Sequence, residues 1–298
     1  MVDYKKIKLA NERSGQVQKR LNRNGAWKFF KILYRDSMGK VFLLNLLLLL
    51  FVIPTVLVVY FLVMSKTYAL TTMLPTTNYL GVGSGVWLDV GRYAAEQTAI
   101  INKNGNLWAA LAALLVAFAF SGGFAVIRDS FWTGKLVIWK PFFRGIGQTL
   151  GYTLLGTAAL SGAYLGIFFL GEALKPILAT WVYVIALIAA WVLFALIFMY
   201  VYTLFAVAAT YKQPVADNLA DAWRLMWLNF LPNLIRIVIT ALPFVLYVLI
   251  AQSAGMIASL LLAAMFMFGM FYVVFVYMVH MMRTFALFHP VEPKKAKQ

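Results

Sequence analysis

Two histidines, ten acids and no cysteine are all that this 298-residue chain offers for building a catalytic or metal site. His280 closes an apolar run in Val-His-Met-Met-Arg, where it reads as an interfacial side chain, and His289 lies nine residues further on. Neither has an Asp or Glu at metal-ligand spacing, so no metal site is expected. The lack of cysteine excludes disulfides, thiol catalysis and cysteine-held metals. Asp3, Glu12, Asp36, Asp89, Glu96, Asp129, Glu172, Asp217, Asp221 and Glu292 all fall at the ends of apolar runs or between them. An ion-coupled carrier or proton relay would usually place an ionisable group inside such a run. The deepest polar residues are instead Asn45, Ser121, Arg236 and Gln252. No serine sits in a nucleophile-elbow context. Gly81-Val82-Gly83-Ser84-Gly85 resembles a phosphate loop but lacks the lysine and the strand–helix frame, and reads as a flexible turn. Catalytic residues and cofactors are therefore not expected. The remaining enzymatic option is a lipid-modifying site that brings Asp129 and Asp221 to His280 at the membrane interface.

The strongest concentration of interaction chemistry is basic and aromatic. In VIWKPFFRGIGQTLG (137–151), Trp139, Phe143, Ile146 and Leu150 follow helical spacing on one face, while Lys140, Arg144 and Gln148 follow it on a neighbouring one. Pro141 suits a first helical turn, where its missing N–H costs nothing. AWKFFKILYRDSMGK (26–40) and DAWRLMWLNFLPNLIR (221–236) are built alike. Just before the latter, Pro214 and Asp217 suit a helix start, and within it Asp221 and Arg224 form an i, i+3 pair. Two readings stand. These are interfacial helices that seat tryptophans at the headgroup level, or Lys140 and Arg144 grip a phosphate or a protein. Trp139, Lys140, Phe143, Arg144, Trp223, Arg224 and Trp227 form the candidate interaction surface.

The elements that carry these residues are set by composition. The chain is 63% apolar and 12% charged, with a mean hydropathy of +0.83, far beyond what a soluble core needs. Uncharged apolar runs read as six membrane helices at about 41–63, 107–127, 150–170, 180–205, 231–251 and 255–279. The expected fold is an all-α polytopic membrane protein. Its helices form three pseudo-repeated hairpins, each preceded by an interfacial helix. Residues 1–40 form a basic amino-terminal segment, 41–279 the membrane domain, and 280–298 a basic tail. No cleavable signal is apparent, because the first apolar run begins only at Val41.

Net charge is +16, and its distribution orients the helices. Segments 1–40, 128–149, 206–230 and 280–298 hold 21 of the 26 Lys and Arg residues; 64–106, 171–179 and 252–254 hold four. This bias places both termini in the cytoplasm of a cell-membrane protein and favours contact with anionic lipids rather than nucleic acid. The long outer segment 64–106 contains WLDVGRYAAEQTAIINK (87–103), which suits one helix. It is read as either a surface-lying connector or a partner contact. Between lipid-facing helices, small residues mark close packing. Ala109, Ala113, Ala117, Ser121 and Ala125 form a four-residue ladder in the second span, and Ala158, Gly162 and Gly166 form one in the third. Spans two and three are expected to cross along them. Pro54 and Pro243 interrupt the first and fifth spans.

LNLLLLLFVIPT (44–55), FAVIRDSFWTGKLVIWKPFFRGIGQTL (124–150) and LADAWRLMWLNFLPNLI (219–235) resemble elements of the YesL-like membrane proteins of Gram-positive bacteria. Phe142-Phe143-Arg144-Gly145 is the most specific piece. The resemblance implies six membrane helices and, because the family's genes accompany ABC-type carbohydrate importers, an accessory role in solute uptake. The long basic amino terminus and enlarged 64–106 segment depart from the family pattern. The residues themselves leave open an autonomous channel or transporter for a small neutral solute.

Overall fold

A chain crossing hydrocarbon must satisfy each backbone N–H and C=O internally, and one long apolar segment can do that only as a helix. The computed structural model describes residues 35, 37–65, 84–133, 135–211, 213–251 and 255–288, and every regular element among them is helical. The helices are α1 (Ser37–Ser65), α2 (Ser84–Ala113), α3 (Val116–Thr133), α4 (Trp139–Leu174), α5 (Thr180–Thr210), α6 (Val215–Leu228), α7 (Phe230–Ala251) and α8 (Gly255–Phe288). Six stretches are long and apolar enough to cross a membrane: Ser37–Ser65, Ala95–Phe131, Trp139–Leu174, Thr180–Thr210, Phe230–Tyr247 and Ser259–Met282. This is a multi-pass membrane protein. Most of the 26–40 lead-in, Gly81–Gly83 and the tail from His289 lie outside the described residues, as do Gln252 and the side chains of 87–94.

The helices pair as three hairpins. Helix α1 lies on α2 and α3 through Leu62 at Gly105, Leu48 at Gly123, and the stacked rings of Phe51 and Phe118. Helix α4 returns through α5, and α7 through α8. The three returning helices, α3, α5 and α8, meet one another in the centre. There Phe120 and Phe124 pack against Tyr202 and Phe205, and Tyr202 against Tyr277. The Tyr277 hydroxyl lies 2.8 Å from that of Thr203. Asn45 of α1 closes the ring onto α8, donating to the Phe266 carbonyl at 2.7 Å and accepting from the Phe271 N–H at 3.0 Å.

Burial is strongly polarised along the bundle. The buried positions of α5 run from Met199 to Thr210, with Tyr200 the one exception, and none lies before; α4 is buried at positions from Pro141 to Thr157 and nowhere after. In α8 the described buried positions run from Phe271 to Phe285. All three lie at the end that carries Arg128, Lys140 and Arg144, termed the basic end. Helix length explains the asymmetry. The 36 residues of α4 span about 54 Å against about 30 Å of hydrocarbon. Its uncharged stretch from Gly145 to Gly171 spans about 40 Å, so the charged turn holding Lys140 and Arg144 falls at or beyond the hydrocarbon edge. Projecting turns meet water and must bury apolar side chains against each other. Side chains within lipid have no such need.

Three expectations are corrected. The lead-in at 139–149 is not a separate interfacial helix but the first turns of α4 itself; among the described residues only α6, before α7, is a distinct short helix. The second crossing is longer than expected and breaks at Leu114 and Leu115. There Leu114 N–H bonds Leu111 O, and Ala117 N–H bonds Leu114 O, three residues back. The segment read as a surface helix at 87–103 thereby belongs to α2, which runs on to Ala113, and Ala109 and Ala113 stand on a different helix from Ala117, Ser121 and Ala125. The third correction concerns the α3–α4 contact. Ala117, Ser121 and Ala125 are buried as expected, but Ala158, Gly162 and Gly166 are exposed, and a methyl group at either glycine would meet nothing within 4 Å. The contact on α4 is made by Phe142, Gly145 and Thr149 instead. The Ser121 hydroxyl donates to the Gly145 carbonyl at 3.0 Å and lies 2.7 Å from Thr149 Oγ1.

A Cβ on Gly145 would overlap Ala125 and come within 2.7 Å of the Ser121 carbonyl. Gly145→Ala is therefore expected to push α3 and α4 apart and cost about 1–3 kcal/mol. Gly162→Ala should be neutral or stabilising by about 0.5–1 kcal/mol through helix propensity. Thermal unfolding of the two variants in detergent checks the pair; equal effects would contradict this interface.

Candidate interaction surface at the basic end

The first turns of α4 are divided between two faces. Pro141 lies in the first turn, and the Phe142 N–H bonds Ile138 O at 2.9 Å. Ile138, Phe142, Gly145 and Thr149 face inward, with Phe142 filling the space left by Gly122 and stacking near Phe51. The other face carries Trp139, Lys140, Phe143 and Arg144, all exposed, with Trp139 at 55% and Phe143 at 60%. The two rings stack at 6.3 Å.

Charge anchors this face to the bundle. Arg128 is almost fully buried and pairs with Asp129 at 2.8 Å, while its other arm donates to the Ala209 carbonyl in the last turn of α5. Carbonyls in a final turn lack helical partners and carry partial negative charge, so a guanidinium there both caps and neutralises. Asp129 also receives Arg144 at 3.4 Å. One carboxylate thus connects the end of α3, the exposed edge of α4 and, through Arg128, the end of α5.

Helix α6 presents the second patch. Ala222, Leu225 and Met226 face the bundle, while Trp223, Arg224 and Trp227 are exposed. Trp223 meets Trp227 edge-on at 5.7 Å, and Trp227 stacks on Phe230 at 5.5 Å. Buried Asn218 donates to the Tyr152 hydroxyl of α4 at 2.9 Å, and the Tyr200 hydroxyl of α5 to the Leu219 carbonyl at 3.3 Å. Asp221 accepts from Gln213 at 2.8 Å and keeps Arg224 at 4.0 Å, the expected i, i+3 pair. At the far end, fully buried Asn233 donates to the Leu225 and Met226 carbonyls, and its Oδ1 lies 2.7 Å from His280 Nε2.

All seven residues of the candidate surface are therefore exposed, on two elements that polar contacts tie to the same framework. His280 is a correction: it is not an interfacial side chain but a buried one, locked to Asn233. Asp129, Asp221 and His280 each have separate partners, Arg128 with Arg144, Gln213 with Arg224, and Asn233. Among the described residues no three acidic or histidine side chains form a group able to hold a metal ion. The framework residues Arg128, Asn218 and Asn233 had no expected role. A lone amide beside a proline and a charge at the edge of a span were the only signals. Compared with known proteins, the chain matches no family model, no curated protein sequence and no solved structure.

Proposed function

We propose that the protein is a non-enzymatic component of the cell membrane, with both termini in the cytoplasm, that associates with and modulates a solute importer of the carbohydrate type. The observation that carries this reading is the α4 turn Trp139–Arg144. It keeps two stacked aromatic rings and two cations exposed and is held to the bundle by Phe142, Gly145 and Asp129. Rigid aromatic anchors flanked by arginine are the composition of protein–protein hot spots. Trp223, Arg224 and Trp227 extend the contact and meet anionic headgroups. The importer class comes from the YesL-like resemblance of Phe142-Phe143-Arg144-Gly145 and its flanking segments. The aromatic packing of Phe120, Tyr202, Phe205 and Tyr277 at the centre agrees with a component that does not itself conduct.

Affinity purification from crosslinked native membranes, with Phe143→Ala/Arg144→Ala beside the unaltered chain, tests the reading. The unaltered protein is expected to recover an importer's membrane subunits, and the double variant to lose at least tenfold of that recovery at equal expression. Equal recovery by both, or no importer subunit with either, overturns it. A second reading, passage of a small neutral solute through the chain itself, is favoured by one observation: a cavity between α3, α5, α7 and α8. Flux in proteoliposomes containing only this chain distinguishes it.

A further inference from the structure

Helix α7 is too short to keep Arg236 out of the hydrocarbon. Its 22 residues span about 33 Å, against about 30 Å to be crossed, so it has almost no length to spare. The apolar run from Ile237 to Ala251 covers only about 22 Å by itself. Arg236 therefore stands within the crossing, six residues after Phe230 and about 9 Å along the axis. A guanidinium carries a fixed charge, and at such a depth it calls for a counter-charge.

Among the described residues nothing supplies one. Arg236 is half-buried and makes no side-chain hydrogen bond or ion pair. The acids at this end are committed elsewhere, Asp129 to Arg128 and Arg144, and Asp221 to Gln213 and Arg224. Asp217 lies in the first turn of α6, the end away from α7. The polar groups around Arg236 are paired with one another. One turn before it, Asn233 is held by His280 at 2.7 Å and by the Leu225 and Met226 carbonyls. One turn after it, the Ile239 carbonyl accepts the Tyr272 hydroxyl of α8 at 2.8 Å, since Pro243 has no N–H to offer it. These two ties fasten α7 to α8 on either side of Arg236, whose charge acts on the Tyr272 hydroxyl without bonding it.

Helix geometry directs the charge. Side chains tilt toward the N-terminus of their own helix, and for α7 that is the basic end. The stem of Arg236 thus lies back over the turn that holds exposed Pro232, and the guanidinium approaches the level at which α7 begins. Trp227 marks that level. It is exposed and stacks on Phe230 at 5.5 Å, and tryptophan of this kind seats among headgroups. Lys140, Arg144 and Arg224 are exposed at the same end and add to its positive charge.

We infer that Arg236, on the α7–α8 seam at the basic end, forms a binding site for one net-anionic phospholipid, whose phosphate the guanidinium holds. The phosphate is the counter-charge that the bilayer itself brings to this depth. Two of its oxygens match the guanidinium fork, which a lone carboxylate-free helix seam leaves open. A net-anionic headgroup is preferred to a zwitterionic one, because it brings no ammonium into the field of the neighbouring cations. The inference does not depend on an importer partner.

Native mass spectrometry of the full chain in detergent, titrated with phosphatidylglycerol, tests it. One lipid is expected to bind more tightly than the rest. Arg236→Gln should weaken that site about tenfold, and Arg236→Lys, which keeps the charge without the fork, only about two- to threefold. Lys135→Gln, which removes an exposed cation of the same end, should leave it unchanged. Phosphatidylcholine should bind about tenfold more weakly, and inorganic phosphate should not displace the lipid. Thermal unfolding gives a second readout: phosphatidylglycerol should raise the midpoint of the unaltered chain and not that of Arg236→Gln. The absence of a tight site, or equal affinity of Arg236→Gln and the unaltered chain, overturns the inference. Displacement by inorganic phosphate, which would make this a free-anion site, does so as well, as does equal binding of phosphatidylcholine. Retention of the lipid by Arg236→Gln with loss of a membrane partner would assign the guanidinium to a partner's carboxylate instead, and also overturns it.

Discussion

Arg128→Ala is expected to destabilise the protein by about 3–5 kcal/mol, the cost of breaking a buried ion pair from one side. Two losses combine. Asp129, with little exposed side-chain area, keeps only the 3.4 Å contact with the more exposed Arg144, and the Ala209 carbonyl at the end of α5 loses its cationic cap. Unfolding in detergent, followed by temperature or denaturant, gives the magnitude. A second variant separates the causes. Arg128→Met with Asp129→Asn removes both charges and retains apolar volume, so it should recover more than half of the loss if the stranded carboxylate dominates. If the double variant is as unstable as Arg128→Ala, the α5 cap is the larger contribution. Because Asp129 also holds Arg144, Arg128→Ala should leave the Trp139–Arg144 face more accessible to protease. Unchanged stability in Arg128→Ala would contradict the whole arrangement.

Asn45→Leu has an effect of similar size through a different mechanism. Asn45 has no exposed surface, and its amide satisfies a carbonyl and an N–H of α8 at once. Leucine matches the neighbouring residues and would be the natural choice for a lipid-facing position. Here it removes both hydrogen bonds that tie α1 to the α8 backbone, at about 1–3 kcal/mol for each one lost from a buried site. The expected result is loss of the α1–α8 contact while the other two hairpins persist. Disulfide trapping reads this directly, using cysteine pairs introduced across α1 and α8 in a chain that has none of its own. A large drop in α1–α8 crosslinking with α4–α5 crosslinking intact supports it. Undiminished α1–α8 crosslinking shows that apolar packing such as Leu48 on Gly123 suffices.

These two residues show where sequence reading succeeds and where it stops. Asn45 was visible as a lone amide in an uninterrupted apolar run, but its partner lies more than two hundred residues away and no local pattern points to it. The seven exposed residues of α4 and α6 were legible because helical spacing divides each segment into faces, and charge and tryptophan mark the outer one. The ladder Ala158, Gly162 and Gly166 was equally regular and led to the wrong face. Small residues permit close approach without requiring it, and at Gly145 the permission is used because Ser121 and Thr149 add hydrogen bonds there. The break at Leu114 and Leu115 has no glycine or proline to announce it. His280 gave the appearance of an interfacial side chain because its helix end is apolar; only α7, by bringing Asn233 across, makes it a buried hydrogen-bonding group.

The sequence by itself determined the helical class, the six crossings and the charged end of the bundle. A bilayer acts as a solvent that reads each segment separately: about 20 apolar residues form one crossing whatever lies elsewhere in the chain, and charge is excluded from hydrocarbon locally. Tertiary structure alone decided which helical faces meet, which helices occupy the centre, and where a cavity remains. Within lipid an apolar side chain gains little by exchanging lipid for protein, so composition does not choose the face. Shape and polar pairing choose it, through Gly145 under Ser121, Asn45 in the α8 backbone, and Arg128 on the end of α5.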